Sequence, residues 1–220
     1  MQDFCILKQE ELLILASAFH LKQVYGLSYE KTEERLIPYQ IHEMTRSGIL
    51  QPQNGKLNVS MFYRRIFQIL CSAKYVLSVH KRQREGKICW YYIGDEVVCM
   101  EESLADKGSL RISICSKEGL YTVLTEQGLL PESLLDAELA KLENYKEVEA
   151  KMVCFPVCYQ YRLLCVENEM VQAEKWFNII RSDHNYWVIE QRLSGNRLLR
   201  YSPEDFFQRI ISMSEEEVII

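Results

Sequence analysis

Long apolar runs are missing from this chain. None approaches the roughly 20 consecutive apolar residues a helix needs to cross a bilayer, so no membrane insertion is expected. The first residues, MQDFCILKQEELL, lack the basic, apolar and small-residue regions of a secretory signal, and a cytoplasmic setting is expected. Positive charge is not in excess either. A formal net charge of -5 argues against a nucleic-acid scaffold or a membrane-surface binder. The nine glycines are dispersed, with no Gly-x-Gly-x-x-Gly and no Gly-x-x-x-x-Gly-Lys, so no phosphate-cradling loop is encoded. No Gly-x-Ser-x-Gly presents a nucleophile, and His20, His42, His80 and His184 are too scattered to supply its base. Eight cysteines are present but no Cys-x-x-Cys, and no histidine lies within ten residues of Cys154, Cys158 and Cys165. Zinc sites offer paired ligands on tight turns, so these read as structural thiols kept reduced in a cytosol. The expectations are no catalytic residue, no cofactor and no metal: this is not an enzyme.

What is there is a sheet. From Lys74 to Ser116 the chain is a run of β-branched, aromatic and sulfur side chains broken by turn signals. Tyr75, Leu77 and Val79 alternate with Val76, Ser78 and His80; Ile88, Trp90 and Tyr92 alternate with Cys89, Tyr91 and Ile93. A period of two sends successive side chains to opposite faces. Gly94-Asp95 suits a tight hairpin, and Leu110, Ile112 and Ile114 continue the pattern. The segment predicts a four-stranded antiparallel meander, with helices covering its apolar face.

Around it, residues 3–7 read as an edge strand. Helices are expected at Lys8–His20, from Pro38 to Ser47 with Gly48 as terminator, and at Ser60–Ala73. Ser116 is a good cap for a helix ending at Gly128. A helix is expected over about 131–147, strand over 149–166 with an edge or bulge at Pro156, and a helix after Asn168 bearing Met170, Val171, Trp176, Phe177 and Ile180. Tyr186–Arg192 and Arg197–Tyr201 form a hairpin. Ser202-Pro203-Glu204-Asp205 then starts a helix with Phe206, Phe207, Ile210 and Ile211 inward, and Ser214–Ile220 is expected to fray. The fold class is α+β, one domain over 1–220. Laying Ile112–Tyr121 over Leu198–Phe207 aligns strand, serine cap, acid and apolar pair. It raises the expectation of quasi-related halves, 1–128 and 149–213, joined by the helix at 131–147.

The sharpest local feature is His80-Lys81-Arg82-Gln83-Arg84-Glu85-Gly86-Lys87. A basic hairpin tip could grip an acidic partner, and a nearby exposed ring could anchor it. The candidate partner-binding residues are therefore Arg82, Arg84, Lys87 and Trp90. A second reading is a winged-helix-related nucleic-acid-binding regulator with residues 48–59 as the wing. Its recognition helix would need exposed basic or amide side chains. The 38–47 helix offers Arg46, opposed by Glu43, and the third helix offers Arg64 and Arg65.

Taken in order, the elements resemble the EspG family of type VII (ESX) secretion-associated chaperones, as a shortened or diverged member. The resemblance is carried by FCILKQEELLILASAF, by a helix ending Thr45-Arg46-Ser47-Gly48-Ile49-Leu50 with a turn into GKLNVS, by the 60–73 helix and strands from Tyr75, and by RLLRYSPEDFFQRIISM. It covers most of the chain and has no short diagnostic motif. It implies a central antiparallel sheet in two quasi-related halves, and a cytosolic chaperone holding the apolar tip of a helical-hairpin secretion substrate. The partner would be a protein; nucleic acid, catalysis and a cofactor have no place in it.

Overall fold

The computed structural model describes residues 4–27, 34–82, 88–104, 106, 108–132, 145–182, 185–192 and 195–215. Its centre is a nine-stranded antiparallel sheet of order β1-β7-β6-β5-β4-β8-β9-β10-β11. The strands are β1 (Phe4–Lys8), β4 (Tyr75–Lys81), β5 (Ile88–Ile93), β6 (Glu96–Glu102), β7 (Ser109–Ser116), β8 (Val157–Glu167), β9 (Met170–Arg181), β10 (Tyr186–Gln191) and β11 (Arg197–Arg200). The helices are α1 (Gln9–Ala18), α2 (Ile37–Arg46), α3 (Met61–Ser72), α4 (Lys117–Glu126), α5 (Tyr145–Lys151) and α6 (Pro203–Glu215). The architecture is α+β, and the four-stranded meander β4–β7 lies where the alternation puts it. A second meander, β8–β11, runs outward from the centre in the other direction, so β4 and β8 are the joint between two strand runs. A helix follows each run at its outer end, α4 after β7 and α6 after β11.

Both faces carry helices. On one, α4 and α6 lay Leu120, Leu124, Phe206, Phe207 and Ile210 onto Leu77, Tyr91, Tyr161 and Phe177. Each such fully buried side chain is worth about 1.5–3 kcal/mol of transfer free energy. On the other, α1 to α3 bury Leu12, Leu15, Met44, Ile66 and Phe67 against Val76, Tyr92, Val98, Met100 and Ile112. Farther along that second face, Val148 of α5 packs on Ile180, Trp187, Ile189 and Leu198. Local chemistry sets the helix ends. Ser116 Oγ accepts from the Gly119 amide at 3.1 Å, and Ser202 Oγ from the Asp205 amide at 3.3 Å. These bonds satisfy amides that have no partner within the helix. A separate hairpin, β2 (Leu50–Gln53) and β3 (Lys56–Val59), turns at Asn54 and Gly55, with φ of 53° and 72°. Positive φ at both central positions is what a two-residue hairpin turn demands.

Two expectations fail. The segment after Asn168 is a strand, not a helix. Asn168 and Glu169 take φ of 50° and 64° and close a two-residue turn in which Glu167 faces Met170. Trp176, Phe177 and Ile180 satisfy a helical spacing by accident; Phe177 and Ile179 are buried on the α4/α6 side, while Ile180 packs beneath α5. Residues 149–154 are helical, not strand: α5 reaches Lys151, a 3-10 turn covers Met152–Cys154, and β8 starts just past Pro156. Proline, lacking an N–H, suits the point before a ladder begins. The expected irregularity near it is a register shift between Val157 and Tyr159. Of the helix expected over 131–147, residues 133–144 lie outside the described residues, as do 216–220 of the expected frayed tail.

Candidate functional site

The second face carries two helical covers, α1–α3 at one end and α5 at the other, and a strip of sheet crosses between them. Strand register builds it in rows. Ser78 lies opposite Trp90 on one side and Arg162 on the other, and Arg162 opposite Trp176. One row along, Ile88, His80, Gln160 and Asn178 are aligned across β5, β4, β8 and β9. Ser78, His80, Gln160, Arg162, Trp176 and Asn178 belong to none of the apolar clusters. All but Ser78 keep partial solvent exposure. The alternation that buries Leu77, Val79, Tyr161 and Phe177 beneath α4 and α6 is what turns these side chains to the opposite face.

The strip has internal order. Arg162 donates from Nε and Nη2 to Glu174 Oε2 at 3.0 and 2.6 Å, and its guanidinium lies 5.0 Å from the Trp176 ring centroid. Trp176 Nε1 donates to Glu174 Oε1 at 3.0 Å. The indole bond and the Arg162 guanidinium hold the Glu174 carboxyl below the usual carboxylate range. Both charges are more than a third exposed, so the pair adds little stability. Its effect is to hold the Arg162 guanidinium over the Trp176 indole. Asn178 Oδ1 is buried and has no hydrogen-bond partner among the described residues. The strip therefore offers a cation–π pair, an amide row and the partly exposed Ile88. Among the described residues no cluster of three or more histidine, cysteine or acidic side chains is placed to hold a metal.

Two of the four sequence-predicted contacts are described. Arg82 stands just past β4, its amide donating to the Cys158 carbonyl at 2.9 Å and its Nη2 to Gln160 Oε1 at 3.3 Å, which places it at the margin of the strip. Trp90 is half-buried, and its ring is covered by Gly26. That glycine has φ +94°, and a Cβ there would come within 2.5 Å of Trp90 Nε1. Trp90 thus packs at the border of the α1–α3 core. Arg84 and Lys87 lie outside the described residues. Sequence reasoning missed Arg162, Glu174, Trp176 and Asn178, because three of them sit on the strand read as a helix. The alternation of Trp176 and Asn178 with Phe177 and Ile179 was the available signal.

The surface that a winged-helix reading requires is differently arranged. The β2–β3 hairpin separates α2 from α3. Arg46 is paired with Glu43 at 2.7 Å, and Arg65 donates from Nε to Glu96 at 3.0 Å. Two of the three arginines that reading would use are ion-paired within the chain.

Between β10 and α6 lies a second polar cluster. Glu190, only 5% exposed, accepts from Arg192 Nη2 at 2.9 Å and from Arg209 Nη2 at 2.7 Å. Burial pushes its carboxyl up, but the two guanidiniums more than offset this and leave it below the usual range.

No protein-family model matches the sequence, and no curated protein matches it. Among solved structures, the chain is similar to the type VII secretion system chaperone EspG5 of Mycobacterium tuberculosis, solved in complex with a PE25–PPE41 dimer. The match has a TM-score of 0.57, covers 95% of each chain, and carries 6% sequence identity. No helix among the described residues is long and apolar enough to cross a membrane. At that identity the likeness is one of architecture: this chain shares the fold of the EspG5 chaperone across nearly its whole length.

Proposed function

We propose that this protein is a non-enzymatic cytoplasmic adaptor or chaperone that binds a helical-hairpin substrate of a type VII-like secretion system. The observation that carries this reading is the fold shared with a type VII secretion chaperone over 95% of both chains. A chaperone for a helical tip needs a concave or flat surface with apolar elements and a polar rim, and no titrating residue at its centre. The strip between the two helical covers has that composition, with Ile88, Trp90 and Trp176 among Arg82, Gln160 and Arg162. Arg84 and Lys87 are proposed to extend the rim from the connection after Arg82. An acidic or amide-rich collar on the substrate would meet Arg82 and Arg162, while its apolar tip would lie along the rings.

The test is capture of partners from the native cytosol by the tagged protein, repeated with Arg162→Glu, with Trp176→Ala, and with Arg82, Arg84 and Lys87 reversed together to Glu. Recovery of a small helical secretion substrate, weakened at least tenfold by a strip variant that stays folded, is the expected result. A salt-labile nucleic acid in its place would overturn the proposal and restore the winged-helix reading.

A further inference from the structure

The described cysteines include five buried ones, and two of these are in contact. Cys99 of β6 and Cys115 of β7 place their sulfurs 3.6 Å apart. Strand register explains why. Cys99 faces Ser113, and Cys115 faces Val97, so the two thiols are diagonal neighbours on the face that α4 covers. A disulfide needs its sulfurs at about 2.05 Å, an approach of about 1.5 Å from their present separation. Because diagonal neighbours start farther apart than directly opposed residues, closing that gap takes rotation about both Cα–Cβ bonds together with a shift of the β6 and β7 backbones.

We infer that Cys99 and Cys115 form a redox-modification site, which a hydroperoxide converts to a cross-strand disulfide. Chemistry separates the roles of the two thiols. Cys115 is the more exposed of the pair, at 8% against 4%, and its thiolate is favoured by the hydrogen bond from Cys99. The hydrogen bond with Cys115, and after it burial, push the Cys99 thiol up. The thiolate is the nucleophile, so Cys115 attacks first. Its sulfur displaces hydroxide from the peroxide O–O bond and becomes a sulfenic acid, and the hydroxide takes a proton to leave as water. Cys99 sulfur then attacks the Cys115 sulfur, its proton leaves with the sulfenic hydroxyl as a second water, and the S–S bond closes. Two thiols lose two electrons and two protons; one hydrogen peroxide becomes two waters. The small oxidant matters, because a bulky disulfide could not reach sulfurs this deeply covered. The product ties β7, whose end caps α4 through Ser116, to its neighbour β6.

The test treats the reduced full chain with hydrogen peroxide, counts thiols after denaturation, and maps the product by peptide mass. The expected result is loss of two of the eight thiols, a Cys99–Cys115 linked peptide two hydrogens lighter, and full reversal by dithiothreitol. With Cys99→Ser, dimedone should trap a sulfenic acid at Cys115; with Cys115→Ser, labelling at Cys99 should fall at least tenfold. Oxidation at the exposed Cys71 or Cys154 with position 99 and 115 thiols intact would overturn the inference. So would a wild-type linkage joining Cys99 to Cys89, and this result does not depend on any variant folding.

Discussion

Replacing Glu190 by alanine should destabilise the protein by about 2–3 kcal/mol. The estimate has two unequal parts. The bond to Arg209 joins β10 to α6, and its arginine side chain is 28% exposed, so it is a charge-assisted bond worth about 1.5–3 kcal/mol. The bond to Arg192 reaches a side chain 41% exposed and screened by water, and adds little. Arg209→Met should therefore cost about 2 kcal/mol and Arg192→Met clearly less. Arg209 Nε is already buried without a partner, so losing Glu190 would leave that guanidinium doubly deprived. For a chain of this length, 2–3 kcal/mol lowers Tm by about 5–10 °C. Acid should reveal the same cluster. The Glu190 carboxyl is held below its unfolded value, so its contribution is complete above about pH 4.3 and disappears as pH falls through the folded value. Glu190→Gln should flatten that part of the stability curve while leaving the neutral-to-alkaline part parallel. Urea unfolding of the wild type and these four variants from pH 3 to 8 measures all of this. Equal losses for Arg192→Met and Arg209→Met, or an unchanged acid slope in Glu190→Gln, would refute the assignment of the energy to the β10–α6 contact.

Gly26→Ala should cost about 2–3 kcal/mol, because it combines a positive-φ penalty with a collision against the Trp90 ring; a blue-to-red shift of tryptophan emission would accompany it, and an unchanged urea midpoint would show that the loop yields freely. Tyr161→Phe should cost about 1–2 kcal/mol, since the fully buried hydroxyl donates to the Leu129 carbonyl and its loss leaves that acceptor unpaired; a thermal scan reads it. Maleimide should modify Cys71 and Cys154 in the native protein well before Cys89 or Cys158, following their exposure, and uniform labelling would contradict the placement of those strands.

Where one physical signal dominated, the sequence could be read directly. The alternation from Tyr75 to Ile114 was decisive because apolar residues recur at every second position within the strands and Gly94-Asp95 marks a tight turn. Ser202-Pro203-Glu204-Asp205 combined a cap, a fixed φ and acids at a helix start, and α6 begins there. From Met170 to Arg181 two signals competed. Trp176, Phe177 and Ile180 fit both a helical stripe and a two-sided strand, and the deciding feature was a turn at Asn168-Glu169 whose positive φ at a glutamate has no sequence mark. The candidate strip inherited that ambiguity. Arg162 and Glu174 are twelve residues apart in sequence and meet only because this turn folds β9 back along β8. Arg82 and Trp90 were visible as a basic residue and a ring beside a turn. That Gly26, far away in the chain, covers the ring was not.

The two strand runs that meet at β4 and β8 have a consequence for how the chain acquires its shape. Within each run every strand pairs with the next one along, so each can assemble through short loop closures with little entropy to overcome. The β4–β8 ladder, from Tyr75 against Cys165 to Lys81 against Tyr159, spans the whole α4–α5 region, and β1 must find β7 across the entire first meander. Those two closures are the long-range ones. Folding should therefore be paced by the docking of two preformed sheets along the central seam, with β1 added last at the rim. Mutations along Val76, Leu77, Leu163 and Leu164 should slow folding, whereas those in β10 and β11 should mainly hasten unfolding.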